Sequence, residues 1–285
     1  MKNIVVTGVN GSLSKAVAGW LKSKKELNVT QMSVRGNDWE QVGFKGVDSI
    51  VHIAGVTPQN AKSSEDYFNV NALLTKRLAD RALSDGVRQF IYISSMAVYG
   101  AKEQIADIAV SAIREDTICN PTSDYGKSKL EAEKLLNELD NTALNIAIIR
   151  TPSIYGKGKT EYLNQYKYFG RKLPVIPDAF RTQYKSAICT DNLCELIYLV
   201  IDRNHKGIVC PSDGEYAMVD YCSAIFPNKK KSRLLGKLIE IFMSKNSRIN
   251  SYYGAVCYSS ELTDIFDGEY RVVAFNDAIR EACEE

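Results

Sequence analysis

At 285 residues the chain is long enough for one large α/β domain, or for one with a small appended lobe. Its 45% hydrophobic and 25% charged residues are those of a globular protein, and a net charge of +2 with mixed signs gives no footprint for nucleic acid. Seven scattered cysteines and two histidines lack the spacing of a zinc site or a disulfide framework.

The N-terminus runs straight into a strand and no apolar run reaches membrane-spanning length, so a cytoplasmic protein is expected. Lys2 to Thr7 is the first predicted strand, followed by Thr7-Gly8-Val9-Asn10-Gly11-Ser12-Leu13-Ser14 and a helical run from Lys15 to Lys24. A strand, a glycine turn and a helix start in that order form a phosphate cradle. Gly8 permits the turn, and Gly11 lets backbone N–H groups approach a pyrophosphate at the positive helix end. Ser14 stands at the third glycine position, small enough for close helix–sheet packing.

Val29 to Val34 reads as the second strand, with Arg35 at its tip where an NAD site usually carries an acid. Arg35 can pair with the 2′-phosphate of NADPH, so NADP(H) is favoured over NAD(H); the alternative leaves Arg35 solvated and gives the ribose to Asp38. Ser49 to Gly55 is a third strand whose small end, Ala54-Gly55, lets a cofactor lie against backbone, and Val56 follows it. His52 within it is expected to be a packed core histidine. A helix over Tyr67 to Leu83 carries the interior polar Asn71, expected to bond backbone between strands. Strands over Gln89 to Ser94 and Asn145 to Arg150 complete the alternation that argues for a doubly wound parallel sheet.

The chemistry centres on Tyr125-Gly126-Lys127-Ser128-Lys129. Tyrosine and lysine four apart share a helix face, and an ammonium there favours the tyrosinate, tuning a phenol toward acid–base work on a carbinol. Three such pairs occur, Tyr125/Lys129, Tyr155/Lys159 and Tyr168/Lys172. Only the first opens a long amphipathic helix after a turn-like Asn120-Pro121-Thr122-Ser123-Asp124 and follows a strand ending in Ser94-Ser95.

Beyond Arg150 the pattern loosens. Helices are predicted over Glu161 to Arg171 and Leu193 to Ile201, the latter capped by Asp191, with a strand from Lys185 to Thr190 between them. Asn228-Lys229-Lys230-Lys231 precedes a helix from Leu234 to Met243 with Leu234, Leu235, Leu238, Ile241 and Phe242 on one side. Such a basic-flanked stripe suits a membrane surface, but lobe core is the commoner use and is the expectation here.

With Thr7-Gly8-x-x-Gly11, Ser94-Ser95-Met96-Ala97-Val98-Tyr99-Gly100, Tyr125-x-x-x-Lys129 and Arg150-x-Pro152-x-Ile154-Tyr155-Gly156 in order, the chain resembles the extended short-chain dehydrogenase/reductases. These are the NAD-dependent epimerase/dehydratase family of nucleotide-sugar enzymes, and the likeness covers about residues 1 to 200. It implies a Rossmann-type domain over 1–155, with 185–202 returning to it, and a small C-terminal substrate-binding lobe from 156–184 and 203–285.

By the resemblance, Tyr125 is the acid/base, Ser95 orients the sugar C4 oxygen beside a supporting Ser94, and Lys129 modulates the phenol and binds the nicotinamide ribose. Gly8, Asn10, Gly11, Ser12, Leu13, Arg35, Ala54, Gly55, Val56, Pro152 and Ile154 would hold the cofactor. Ser153 stands where epimerases often have a substrate-binding asparagine, and Lys185 where relatives set an arginine against the nucleotide diphosphate. Met96-Ala97 replaces the Asp-Glu pair of the 4,6-dehydratases, which argues against dehydration.

The chain is most similar to a capsule and O-antigen branch that reduces UDP-4-keto-6-deoxy-N-acetylhexosamines at C4. A 4-ketoreductase is therefore expected, with an NAD-dependent 4-epimerase as its rival and a non-catalytic NADP-sensing regulator further off. The expected partner is a nucleotide sugar, and a homodimer is allowed for.

Overall fold

The computed structural model describes residues 1–100, 112–139, 143–158, 161–243 and 255–284. In chain order the first elements are β1 (Lys2–Thr7), α1 (Ser12–Lys22), β2 (Leu27–Met32), α2 (Asp38–Val42), β3 (Ser49–His52) and α3 (Ser64–Tyr67). A π-helical segment Phe68–Leu73 leads into α4 (Leu74–Ser84), β4 (Gln89–Ser95), a short 3₁₀ turn Met96–Tyr99, α5 (Asp124–Asn137) and β5 (Asn145–Thr151). Then come β6 (Ser153–Tyr155), α6 (Glu161–Lys172), β7 (Ile176–Pro177), β8 (Lys185–Cys189), α7 (Thr190–Asp202) and β9 (Gly207–Val209). β10 (Gly214–Tyr216), α8 (Met218–Ile225), β11 (Lys231–Ser232), α9 (Arg233–Met243) and a C-terminal helix Phe275–Glu284 follow.

The chain divides into two compact units. The first comprises Met1–Gly100, Ile118–Thr151 and Leu193–Pro211, and the second the described residues of 101–117, 152–192 and 212–285. In the first, six strands run parallel in the order β2-β1-β3-β4-β5-β9. A parallel sheet with order reversing beside β1 and helical crossovers is the doubly wound architecture the alternation implied. Central strands are apolar throughout because both faces are covered: Ile50, Val51, Phe90, Ile91, Ile148 and Ile149 are all at most 1% exposed.

The second unit carries a three-stranded sheet β10-β8-β6 and a two-stranded one, β11-β7. Strand pairing draws the division differently from the sequence expectation. β6 pairs with β8, which takes 152–155 and 185–192 into the second unit, while β9 pairs with β5 and takes 203–211 into the first. Asp191 does not cap α7, which already starts at Thr190; the Cys189 Sγ takes that place, accepting from the Asn192 N–H at 3.4 Å.

Beneath the β1–α1 turn lies a buried polar chain. Thr7 Oγ1 accepts from the N–H groups of Ile53 and Ala54, both at 3.1 Å, so its one hydrogen goes to His52 Nδ1 at 2.8 Å. His52 Nε2 then donates to Thr75 Oγ1 at 2.9 Å, and Thr75 donates to the Asn71 carbonyl at 2.7 Å. His52 is the core histidine expected, fully buried. Burial, with the Lys129 charge adding to it, pushes its pKa down to about 3.

Because the folded value lies below the ordinary 6.5, the neutral ring is at no disadvantage above that pH, and stability is lost as pH falls from there toward 3. The slope contributed is about 1.4 kcal/mol per pH unit at most. Urea titrations between pH 7 and pH 4 are expected to show a shallower loss for His52→Gln than for the unaltered chain.

Candidate active site

The first unit brings Ser95, Tyr125 and Lys129 together. Ser123 caps α5, its hydroxyl accepting from the Gly126 N–H at 3.0 Å, and so sets Tyr125 in the helix's first turn. Ser95 ends β4 and caps the 3₁₀ turn after it, accepting from the Ala97 N–H at 3.2 Å. Gly126 lets the two elements meet, since a Cβ there would lie 2.5 Å from the Ala97 carbonyl oxygen. The Ser95 hydroxyl stands close enough to the half-buried Tyr125 phenol to pull its pKa down.

Lys129, one turn beyond Tyr125, is buried. Its ammonium donates to the Ile93 carbonyl at 2.8 Å and lies 4.7 Å from the Tyr92 ring centre and 5.9 Å from that of Tyr125. Burial lowers its pKa to about 8, and the Glu133 charge opposes that fall. The expected depression of the phenol does not arise from the chain's own residues. Burial raises the Tyr125 pKa, with the Ser95 hydroxyl pulling the other way and Tyr67 adding to the rise. Lys129, anchored to strand backbone, is not among the groups that shift it.

A buried network that the sequence reasoning did not assemble supports the site. Glu133 forms an ion pair with Arg150, Nη2 to Oε2 at 2.6 Å, and also accepts from the Ser94 hydroxyl. Arg150 Nη1 donates to the Tyr99 hydroxyl at 2.7 Å. Ser94 is thus tied down as the supporting neighbour of Ser95. The signal was present: Tyr125, Lys129 and Glu133 fall on one helix face, and Arg150 is the charged residue in the apolar run of β5. Asn71 bonds backbone as expected, but at the loop after β3. Its Oδ1 accepts from the Val56 N–H at 2.7 Å, and its Nδ2 donates to the Val56 carbonyl at 3.0 Å and to Ser128 Oγ at 3.1 Å.

The residues at the β1–α1 turn fit a dinucleotide. Gly8 has φ of +92°, which favours glycine, and Ser14 packs 3.3 Å from where a Cβ on Gly8 would stand. Gly11 caps α1 with no side-chain hydrogen bond, so the first-turn N–H groups of Ser12 and Leu13 meet no capping side chain. Asn10 is exposed in the turn. Gly55 is exposed in the loop after β3, and a Cβ there would lie 3.7 Å from Lys129 Nζ, which links the ammonium to the Ala54-Gly55-Val56 edge. Arg35 is exposed beyond β2.

Pro152, Ser153, Ile154 and Lys185 belong to the second unit, where β6 and β8 lie side by side. There Ser153, Ile154 and Lys185 line a cavity with Tyr155, Gln183 and Tyr216. Of the two bystander pairs, Tyr168/Lys172 is a surface contact in α6. Tyr155 is a core residue, and Lys159 lies outside the described residues.

Comparison with known proteins agrees with this architecture. A family model described as "NAD dependent epimerase/dehydratase family" matches residues 4–174. The UDP-glucose 4-epimerase of Vibrio cholerae is 29% identical over 169 residues, 57% of this chain and 50% of that protein. The chain spans between 33% and 50% of the length of the first curated relatives it matches.

Among solved structures, UDP-glucuronic acid 4-epimerase from Bacillus cereus in complex with NAD superposes with a TM-score of 0.74 at 18% identity, over 98% of this chain and 94% of that one. RMD from Pseudomonas aeruginosa complexed with NADPH gives 0.74 at 16%, over 99% of each chain. The fold is theirs, and on the extent of the family match the chain belongs to the NAD-dependent epimerase/dehydratase family, of the extended short-chain dehydrogenase/reductase type.

Proposed function

We propose that the chain is a nucleotide-sugar oxidoreductase that reduces the 4-keto group of a UDP-N-acetylhexosamine-type substrate with NADP(H), in surface polysaccharide synthesis. The observation that carries this is the Ser95 hydroxyl beside the Tyr125 phenol, with the buried Lys129 ammonium one turn along α5. A bound nicotinamide supplies the hydride.

Tyr125 gives its proton to the C4 oxygen, a task suited to a phenol that burial keeps protonated at neutral pH. Ser95 donates a hydrogen bond to that oxygen as charge develops, an interaction worth about 3–4 kcal/mol of barrier. Lys129 stabilises the tyrosinate left behind and orients the cofactor ribose at the Gly55 edge. Gly8, Asn10, Gly11, Ser12 and Leu13 hold the dinucleotide phosphates, with Ala54, Gly55, Val56, Pro152 and Ile154 along its length. Arg35 pairs with the 2′-phosphate. Ser153 and Lys185 take the substrate, Lys185 facing the nucleotide diphosphate as a point charge. Met96 and Ala97 offer no acid or base after Ser95, which speaks against dehydration.

A 4-epimerase is the second reading, supported by relatives named as UDP-glucose 4-epimerase and by a half-reaction that uses the same residues. Mixing the protein with NADPH and a UDP-4-keto-6-deoxy-N-acetylhexosamine, with the product identified by NMR, separates the two. One NADPH consumed per product is expected. Tightly held NAD that neither exchanges nor is consumed would instead mark an epimerase.

Two substitutions probe the site itself. Tyr125→Phe is expected to abolish turnover while cofactor binding, followed by fluorescence, stays within a few-fold. Intact turnover in that variant would falsify the assignment of the acid. Gly126→Ala forces α5 away from the Ala97 carbonyl and with it the phenol from Ser95, so kcat is expected to fall by about a hundredfold. Unchanged kcat there would show that the Ser95–Tyr125 spacing does not matter.

A further inference from the structure

Three residues of the apolar stripe of α9 face outward rather than into lobe core, while Leu235 beside them is half-buried. Leu234, Leu238 and Ile241, spaced for one helix face, are 74%, 44% and 70% exposed. The side chain of Phe242 lies outside the described residues. The opposite side fixes this orientation. A Cβ on Gly236 would stand 2.2 Å from the Asp178 carbonyl oxygen, so the helix is seated on backbone there, and Ile239 packs against Ala179 and Phe180. The parallel pairing of β11 with β7 ties down the chain just before the helix. Turning the stripe inward would drive a larger residue into the place that only Gly236 fits.

Charge completes the surface. Between residues 227 and 243 the chain carries Lys229, Lys230, Lys231, Arg233 and Lys237 against one acid, Glu240. That acid is already engaged, accepting from Arg233 Nη1 at 2.8 Å and from the Phe180 N–H at 2.6 Å. Lys229 is turned inward onto the carbonyls of Gly170 and Leu173, while Lys230, Lys231 and Lys237 are exposed. Large apolar side chains rimmed by exposed ammonium groups complement acyl chains under phosphate headgroups. A second copy of the same face would set these cations against each other.

We propose that α9 docks this chain on an anionic bilayer, Leu234, Leu238 and Ile241 entering the headgroup boundary and Lys230, Lys231 and Lys237 meeting lipid phosphates. Docking is peripheral: among the described residues no helix is long and apolar enough to cross a membrane. The inference stands apart from the redox reading, because no α9 residue is assigned to that chemistry.

Co-sedimentation of the full chain with vesicles tests it. Binding to vesicles rich in phosphatidylglycerol is expected to exceed binding to phosphatidylcholine vesicles by about tenfold or more, and to weaken as salt rises. Leu234→Gln/Leu238→Gln/Ile241→Gln and Lys230→Glu/Lys231→Glu/Lys237→Glu should each lose about tenfold in binding, with melting temperature and turnover of the soluble substrate unchanged. Equal partition onto both lipids, or a triple-glutamine variant that binds as well as the original, overturns the proposal. So does a dimer in analytical ultracentrifugation that the glutamine variant alone dissociates, since a second copy would then cover the face.

Discussion

An ammonium buried against a strand carbonyl organises the first unit. Lys129 gives one hydrogen to Ile93, faces the Tyr92 ring and lies beside the edge at Gly55. Removing a cation from water is costly unless dipoles and counter-charge replace its hydration. Here the carbonyl, the ring and the carboxylate of Glu133 do so only in part, which is why the group's pKa still falls. The ammonium therefore holds α5 in register with β4, because sliding either element would strand the charge.

The Glu133–Arg150 pair extends that constraint to β5, and through Tyr99 to the turn after Ser95. The hydroxyl that faces the phenol thus rests on a charged support rather than on a loop free to drift. Electrostatic help to a reaction is largest when the donor is already aimed and need not reorganise. The second unit follows a different logic. Its core is aromatic, with Tyr155, Tyr221, Tyr216 and Phe275 packed ring to ring, the last two stacked at 3.9 Å. A short-stranded unit gains its cohesion from such large planar groups.

Much of this was legible in the order of residues. β1, the glycine turn, α1 and the long helix opening at Tyr125 announce themselves through local spacing, and they form as expected. His52 was legible as core because an apolar strand surrounds it. The Glu133–Arg150 pair was harder, for it joins a helix to a strand, and proximity across 17 residues of chain is a tertiary fact. The stripe of α9 was misjudged for a related reason. Periodicity shows that a helix has an apolar side but not which side the rest of the chain covers, and Gly236 decided that. The phenol's environment was not legible in spacing, because burial, which raises its pKa, is a tertiary fact.

The widened winding at Phe68–Leu73 has an architectural consequence. In that segment the Leu74 N–H reaches back to the Asn69 carbonyl, five residues away, so the coil holds one residue more than a regular turn allows. The Asn71 carbonyl accepts from the hydroxyls of Thr75 and Tyr92, and its side-chain amide bonds Val56. Deleting one residue between Asn71 and Leu74 would rewind the segment to ordinary pitch and rotate Asn71 by about 100° relative to α4. The loop after β3 would lose both of its bonds to that amide in one step. The extra residue works as a built-in spacer, and its value lies in the helix being imperfect.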